Sequence, residues 1–243
     1  MRQFGLLGKK LGHSFSKKYF TEKFNKLNLS DCKYELYELE RVQEFTTLVK
    51  ENNFSGLNVT IPYKEHILPY LDKFDPVVEQ IGACNTIAFQ NDKLIGYNTD
   101  VIGFEKSLIP YLAPIHSSAL ILGNGGASKA VQYVLKKRSI PFFIASRTPQ
   151  DQAEVSYSEL DSKTLARFKL IINTTPLGMH PNTKEMPKVD CSLLTEDHLV
   201  YDLIYQPAET LFLSEAKKRG ATILNGLSML RLQAEASWKI WNE

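Results

Sequence analysis

Apolar positions recur along the chain in two rhythms. In "SGLNVTIPYKEHIL" (55–68), Leu57, Val59 and Ile61 alternate with Asn58 and Thr60, the pattern of a strand with one buried and one polar face. Pro62 then suits the first position of a helix, which places Lys64 in its first turn. "FGLLG" (4–8) and "KYELYEL" (33–39) read as further strands, and "CNTIAFQNDKLIGYNTD" (84–100) as two strands joined by a polar turn at Asn91 and Asp92. Between them, Phe20, Phe24 and Leu27 fall on one face of a helix. Val42, Phe45 and Val49 do so on the next.

The pattern starts afresh at "SSALILGNGGASKAVQYVLKKR" (117–138), a strand, a glycine turn and a helix. Strands follow at "IPFFIAS" (140–146), "FKLIIN" (168–173), "HLVYDLIY" (198–205) and "ATILN" (221–225), with a helical "TLFLSEAKKRG" before the last. "GLSMLRLQAEASWKIW" closes the chain as a long amphipathic helix. Short apolar runs alternating with helical patterns predict an α/β protein layered around largely parallel sheets.

Composition narrows the class without choosing a function. The chain has 243 residues, 43% of them hydrophobic, and a formal net charge of +2, which suits one large or two modest globular cores. The clusters "VLKKRS" (134–139) and "EAKKRG" (215–220) close predicted helices, where cations suit the negative dipole end. No basic stripe with interleaved aromatics accompanies them, so no nucleic-acid partner is expected. Cys32, Cys84 and Cys191 show no metal-ligand spacing, and no metal is expected. A reducing compartment suits them. The short apolar run in "MRQFGLLGKKLG" and the lack of about 18 uninterrupted apolar residues argue against a signal peptide or a membrane span, so a cytoplasmic location is expected.

Four stretches carry candidate chemistry. "LILGNGGAS" places Gly123, Gly125 and Gly126 between a strand and a helix, where backbone amides and the helix N-terminus suit a pyrophosphate. The strict dinucleotide motif asks for glycine where this chain has Ser128. The next strand ends in "ASRT", without the acid that holds the ribose 2′-hydroxyl of NAD. Ser146, Arg147 and Thr148 instead suit the 2′-phosphate of NADP. In "GHSFS" (12–16), an extended segment would turn Ser14 and Ser16 the same way, fit to grip a carboxylate. Ser16 could equally cap a helix starting at Lys17. In "YNTDVIGF" (97–104), Asp100 is a candidate acid–base group, although it or Thr99 also suits a helix N-cap. Asn58, Thr60, Lys64, Asn85, Thr99 and Asp100 all fall at or beyond predicted strand ends, where open α/β sheets place ligands. A lysine in the first turn of a helix meets the positive end of the dipole, which favours the neutral amine and suits proton transfer.

With these residues in view, the chain resembles the shikimate dehydrogenase family over almost its whole length. The resemblance rests on "GHSFS", "GLNVTIPYKE", "IGACNT", "GYNTD", "GNGGAS", "SRT", "INTTPLGM", "YDLIYQPAETLFL" and "NGLSMLRLQA", in order and approximate spacing. It implies a discontinuous N-terminal α/β substrate domain, residues 1–102 completed by the C-terminal helix 226–243. A Rossmann dinucleotide-binding domain would span 103–225, with a cleft between the two. It implies NADP as cofactor and reversible reduction of 3-dehydroshikimate to shikimate, with Lys64 and Asp100 as the catalytic pair. Ser14 and Ser16 would bind the carboxylate, and Asn58, Thr60, Asn85, Asp100 and Gln233 the ring hydroxyls. Gly123, Asn124, Gly125, Gly126 and Ala127 would hold the pyrophosphate and Ser146, Arg147 and Thr148 the 2′-phosphate. Thr174, Leu203, Tyr205 and Gly226 would line the nicotinamide and substrate side.

The chain departs from the family pattern in two places. Lys17 follows Ser16 where the family commonly has proline, and Ser146 stands where it usually has asparagine. Two rival functions share the motifs: a quinate/shikimate dehydrogenase using NAD, against which the acid-free "ASRT" argues, and a catalytically silent dinucleotide-binding regulator, against which Lys64 and Asp100 argue. The partner expected is a small-molecule substrate, with the chain a monomer or homodimer.

Overall fold

The computed structural model describes residues 1–12, 14–149 and 154–243, with Glu154 described by its backbone alone. His13 of "GHSFS" lies outside the described residues. Two compact units emerge, one formed by Met1–Thr99 with Gln233–Glu243 and the other by Asp100–Leu232.

The first unit carries β1 (Arg2–Gly8), α1 (Phe15–Lys26), β2 (Cys32–Glu38), α2 (Phe45–Glu51), β3 (Phe54–Val59) and α3 (Tyr63–His66), followed by β4 (Lys73–Phe74), α4 (Pro76–Ile81), β5 (Thr86–Gln90) and β6 (Lys93–Tyr97). Its six strands run in the order β2-β1-β3-β5-β6-β4. The sheet is mixed rather than parallel throughout, because β5 runs antiparallel to both β3 and β6. The β5–β6 hairpin closes at Asn91 and Asp92, both at positive φ, the conformation a tight two-residue hairpin demands and Asn and Asp tolerate.

Two expectations for this unit fail locally. β3 ends at Val59, and Ile61 is 77% exposed, so the alternating run is shorter than its pattern. Its Asn58 face is buried too, by a polar network instead of water. Leu27 is the C-cap of α1 and 49% exposed, so of the three expected apolar positions Phe20 and Phe24 face inward. They pack with Phe4, Tyr34, Trp238 and Trp241. Full burial of each such ring is worth roughly 1.5–3 kcal/mol.

The second unit holds α5 (Thr99–Leu108, starting at the boundary), β7 (Ala119–Leu122), α6 (Gly126–Lys137), β8 (Phe142–Ser146), β9 (Glu154–Ser156), α7 (Ser162–Arg167) and β10 (Leu170–Asn173). β11 (Leu199–Asp202), α8 (Leu211–Lys218), β12 (Thr222–Asn225) and α9 (Leu227–Ile240) follow, the last passing into the first unit at Gln233. The strands are all parallel, in the order β12-β11-β10-β7-β8-β9. This is the doubly wound Rossmann order, whose direction reverses between β7 and β10. β7, β10 and β11 are buried at every residue, as expected of strands covered on both faces. Among the described residues, no helix is long and apolar enough to cross a membrane.

Candidate active site

In the first unit, three strand ends converge. β3 and β6 finish where β5 begins, since Asn58 pairs with Thr86 and Thr86 with Tyr97. Around that point Asn58, Asn85, Thr86, Thr99, Gln233 and Ser237 are all buried. Their polar atoms satisfy one another, as buried polar groups must. The Asn85 Oδ1 accepts from the Thr99 backbone N–H at 2.7 Å, and its Nδ2 donates to Gln233 Oε1 at 3.3 Å. Asn58 Nδ2 donates to Ser237 Oγ at 2.9 Å and Thr86 Oγ1 at 3.1 Å, while its Oδ1 accepts from the Tyr34 hydroxyl at 2.8 Å.

Lys64 belongs to the same neighbourhood through its backbone. Its carbonyl accepts from the Cys84 N–H at 2.7 Å, which ties α3 to the residue before Asn85. The lysine is half-buried. However, α3 is a single turn, and Pro62 precedes it with non-helical φ and ψ. One turn sums few peptide dipoles, so the dipole argument made for Lys64 from the sequence loses most of its force. Thr60 is half-buried and bonds through its backbone to Leu7 and Tyr63. Asp100, half-buried, lies in the first turn of α5 directly after Thr99. Neither residue is the N-cap, since the helix already begins at Thr99.

The paired serines are not two residues of one extended segment. Ser14 is extended and caps α1, accepting from the Lys17 N–H at 3.3 Å, the role the sequence offered to Ser16. Ser16 is already helical and buried, with its hydroxyl bonded to that of Tyr34. Burial raises the Tyr34 phenol above its ordinary range, the Ser16 contact opposing, so it stays a neutral hydrogen-bonding group.

The second unit places the glycine turn at the switch between β7 and β10. Gly123 sits at φ +96, and a Cβ there would strike Thr175 at 2.7 Å, so only glycine fits. Thr174 Oγ1 donates to the carbonyls of Leu122 (2.9 Å) and Gly123 (3.1 Å). Asn124, Gly125 and Gly126 are exposed and Ala127 half-buried at the N-terminus of the 12-residue α6. A Cβ on Gly125 would meet nothing within 4 Å, which leaves open space above amides that suit a diphosphate. Ser128, where the strict motif has glycine, is fully buried and bonds Gln132. Ser146 ends β8 with its Oγ accepting from the Thr148 N–H at 3.2 Å, and Arg147 and Thr148 are exposed beyond it. A guanidinium and the Thr148 hydroxyl standing in solvent, with the buried Ser146 hydroxyl behind them, fit a phosphate-bearing ribose.

One group here went unnoticed in the sequence. Asp202, fully buried at the end of β11, accepts at Oδ1 from Asn173 Nδ2 and the Ile204 N–H, both at 3.0 Å, and at Oδ2 from Thr210 Oγ1 at 2.7 Å. Burial pushes its carboxyl up to about 6, against the pull of the three donors. Through it the loops carrying Thr174, Leu203 and the half-buried Tyr205 are tied together. Gly226 completes the cluster, its N–H donating to Ile204 O at 3.0 Å, and a Cβ there would overlap the Leu203 carbonyl.

A family model described as shikimate dehydrogenase substrate binding domain matches residues 6–87. A shikimate dehydrogenase (NADP(+)) of Carboxydothermus hydrogenoformans is 40% identical over 98% of this chain and 90% of its own length. The chain belongs to the shikimate dehydrogenase family. Solved structures of the family agree in fold. The Aquifex aeolicus enzyme superposes with a TM-score of 0.90 at 35% identity, covering 100% of this chain and 92% of that one. The Thermus thermophilus enzyme, in complex with NADP(H) and shikimate, gives 0.87 at 30%, covering 99% and 93%. The mixed first sheet and the Rossmann second sheet are thus those of shikimate dehydrogenases.

Proposed function

We propose that the chain catalyses the NADP-dependent, reversible reduction of 3-dehydroshikimate to shikimate in the biosynthesis of chorismate and the aromatic amino acids, in the cytoplasm. Family membership carries this reading, and the retained Lys64, Asp100 and glycine turn support catalysis over a silent regulator. The functional domains are residues 1–102 with 226–243 for the substrate and 103–225 for NADP.

When bound, NADPH supplies a hydride to the C3 carbonyl carbon. The chain must then protonate the carbonyl oxygen and stabilise its developing charge. Lys64 and Asp100 form the acid–base pair for that proton, and run the step backwards when shikimate is oxidised. Ser14 and Ser16 hold the carboxylate, Ser14 from the cap of α1 and Ser16 from its first turn. Asn58, Thr60, Asn85 and Gln233 take ring oxygens, with Tyr205 at their margin. On the cofactor side, Gly123 to Ala127 receive the diphosphate, Ser146, Arg147 and Thr148 the 2′-phosphate, and Thr174, Leu203 and Gly226 the nicotinamide end.

A spectrophotometric assay of the purified protein, with shikimate and quinate each against NADP and NAD, tests the reading. Turnover should be fastest with shikimate and NADP. Faster turnover with quinate and NAD would replace the substrate and cofactor, and none with any pair would restore the regulator.

A further inference from the structure

We propose that Thr86 and Ser237 are positioning residues, two buried hydroxyls that lock the amides of Asn85 and Gln233 with their oxygens inward and their N–H groups turned to the substrate. The inference rests on the reading above, in which those two amides meet ring oxygens.

The polarity follows from atoms that can play only one role. The Thr99 backbone N–H can only donate, so the Asn85 atom 2.7 Å away is its oxygen. Asn85 Nδ2 is then a donor, which makes the Gln233 atom facing it at 3.3 Å an oxygen. Thr99 Oγ1 donates toward that same oxygen at 3.3 Å or toward Asn85 Oδ1 at 3.1 Å. Gln233 therefore turns its Nε2 away from this cluster, and among the described residues no hydrogen bond engages it.

Two hydroxyls hold the arrangement from behind. Thr86 Oγ1 donates its one hydrogen to Asn85 Oδ1 at 3.1 Å and accepts from Asn58 Nδ2 at 3.1 Å. The Ser237 hydroxyl stands 2.8 Å from Thr86 Oγ1 and 3.0 Å from the Gln233 backbone carbonyl, either of which can take its one hydrogen, and its oxygen accepts from Asn58 Nδ2 at 2.9 Å. Both residues have no solvent exposure at all, so neither touches substrate directly. Flipping either amide would set N–H against N–H in a place closed to water, and a buried donor left unsatisfied costs about 1–3 kcal/mol. The site thus offers donors, and selects a ligand that presents lone-pair oxygens, carbonyl or hydroxyl, at this position.

Steady-state kinetics of Thr86→Val and Ser237→Ala test the proposal. Each is expected to raise the KM for shikimate about ten-fold, as loss of one hydrogen bond to a positioned group does, while the KM for NADP changes less than about two-fold. Thr86→Ser, which keeps the hydroxyl, should restore the wild-type KM, and Gln233→Glu, which replaces donor by acceptor, should cost more than Gln233→Ala. Folded variants with an unchanged shikimate KM, or with both KM values raised in proportion, would overturn it. Should neither variant fold, side-chain amide exchange in the wild-type protein decides, since the Asn85 Nδ2 hydrogen donated to Gln233 Oε1 must be protected and rapid exchange of both Nδ2 hydrogens refutes the lock. A wild-type protein that fails to turn over shikimate overturns the functional reading instead, and amide protection then still reports on the lock itself.

Discussion

In the second unit the glycine turn is one uninterrupted stretch of chain: β7, Gly123, Gly125 and α6 follow one another within residues 119–137, and their geometry is local. In the first unit, Asn58, Asn85, Thr99 and Gln233 come from β3, the residue before β5, the first residue of α5 and the last helix, and they meet only through tertiary pairing. A turn built from neighbours announces itself in composition, since glycine at positive φ has few substitutes. A cluster built from distant residues does not, because each member alone is an ordinary polar residue near a strand end. The two also differ in what damage should do. Changes in the first cluster should fall on substrate and turnover, and changes at the second on NADP.

Lys64→Ala offers the largest test of that division. Turnover should drop by about 10² to 10⁴, the range for losing a positioned acid–base group, with NADP affinity intact by fluorescence titration. Combined with Asp100→Asn, the loss should be far smaller than the product of the two, if the pair acts as one unit. A matching loss of NADP affinity would erase the contrast between the two regions.

Asp202→Ala comes next, and should act on the second region and on stability. It strands three buried donors, at about 1–3 kcal/mol each before relaxation, so the melting temperature should fall by roughly 5–15 °C. Asp202→Asn should recover most of it, its Oδ1 serving the two N–H donors and its Nδ2 donating to Thr210 Oγ1. The pH dependence has a definite sign. The folded carboxyl titrates at about 6, above its ordinary value of 3.8, so folding favours the protonated form. Its stabilising term is full below the unfolded pKa and is lost as pH rises through about 6. Melting curves between pH 4 and about 7 should show that slope in the wild type and a flatter one in Asp202→Asn.

Arg147→Ala should raise the KM for NADP about ten- to a hundred-fold and leave that for NAD nearly unchanged, matching about 1.5–3 kcal/mol for a charged hydrogen bond. Equal use of both cofactors before the change would remove the premise. The smallest effect belongs to Glu105, whose carboxylate accepts from Lys137 Nζ at 2.8 Å and Arg138 Nε at 3.0 Å. Burial alone would raise its carboxyl, but the two cations outweigh it and lower it. That contribution is present above the unfolded pKa and fades as pH falls through the folded one, opposite in direction to Asp202. With both cations more than one-third exposed, Glu105→Gln should cost about 0.2–1 kcal/mol, read as a shift of a few degrees in the melt at neutral pH.

Much of the fold is legible in the sequence. Strand periodicity locates β1, β2, β7, β10, β11 and β12, and the Asn91–Asp92 turn foretells its hairpin. The antiparallel placement of β5 is a matter of pairing, which periodicity cannot show, and β9 and α7 lie where no run of alternating or helical apolar residues stands out. Ile61 and Leu27 continue a pattern past the element that carries it. "GHSFS" reads as extended because nothing in it marks that α1 starts one residue after Ser14. Thr86 and Ser237 pass unnoticed because a hydroxyl inside a strand or helix reads as solvent-facing, and only tertiary pairing closes it off. Asp202 hides for the same reason. It stands in "YDLIYQPAET", a stretch quoted for Leu203 and Tyr205, yet an aspartate after an apolar strand reads as a turn residue. The basic "KKR" of α6 reads correctly as a helix end, while its partner Glu105 lies thirty-odd residues back.

The aromatic core of the first unit is closed by residues 233–243, whose Trp238 and Trp241 pack on Phe4, while the Trp241 indole N–H donates to the Ile87 carbonyl at 3.0 Å. The intervening 133 residues belong to the other unit. During synthesis from the N-terminus, then, the second unit is continuous and can close as soon as it leaves the ribosome. The first waits, with Phe4, Phe20 and Phe24 lacking their indole cover, for several seconds at about 5–20 residues per second. A chain stopped after Leu232 is expected to be cut by protease within 1–99 while 100–232 survives. The order in which the parts become stable is therefore the reverse of the order in which their sequences begin, and the interval of greatest risk for aggregation falls on the half that begins first.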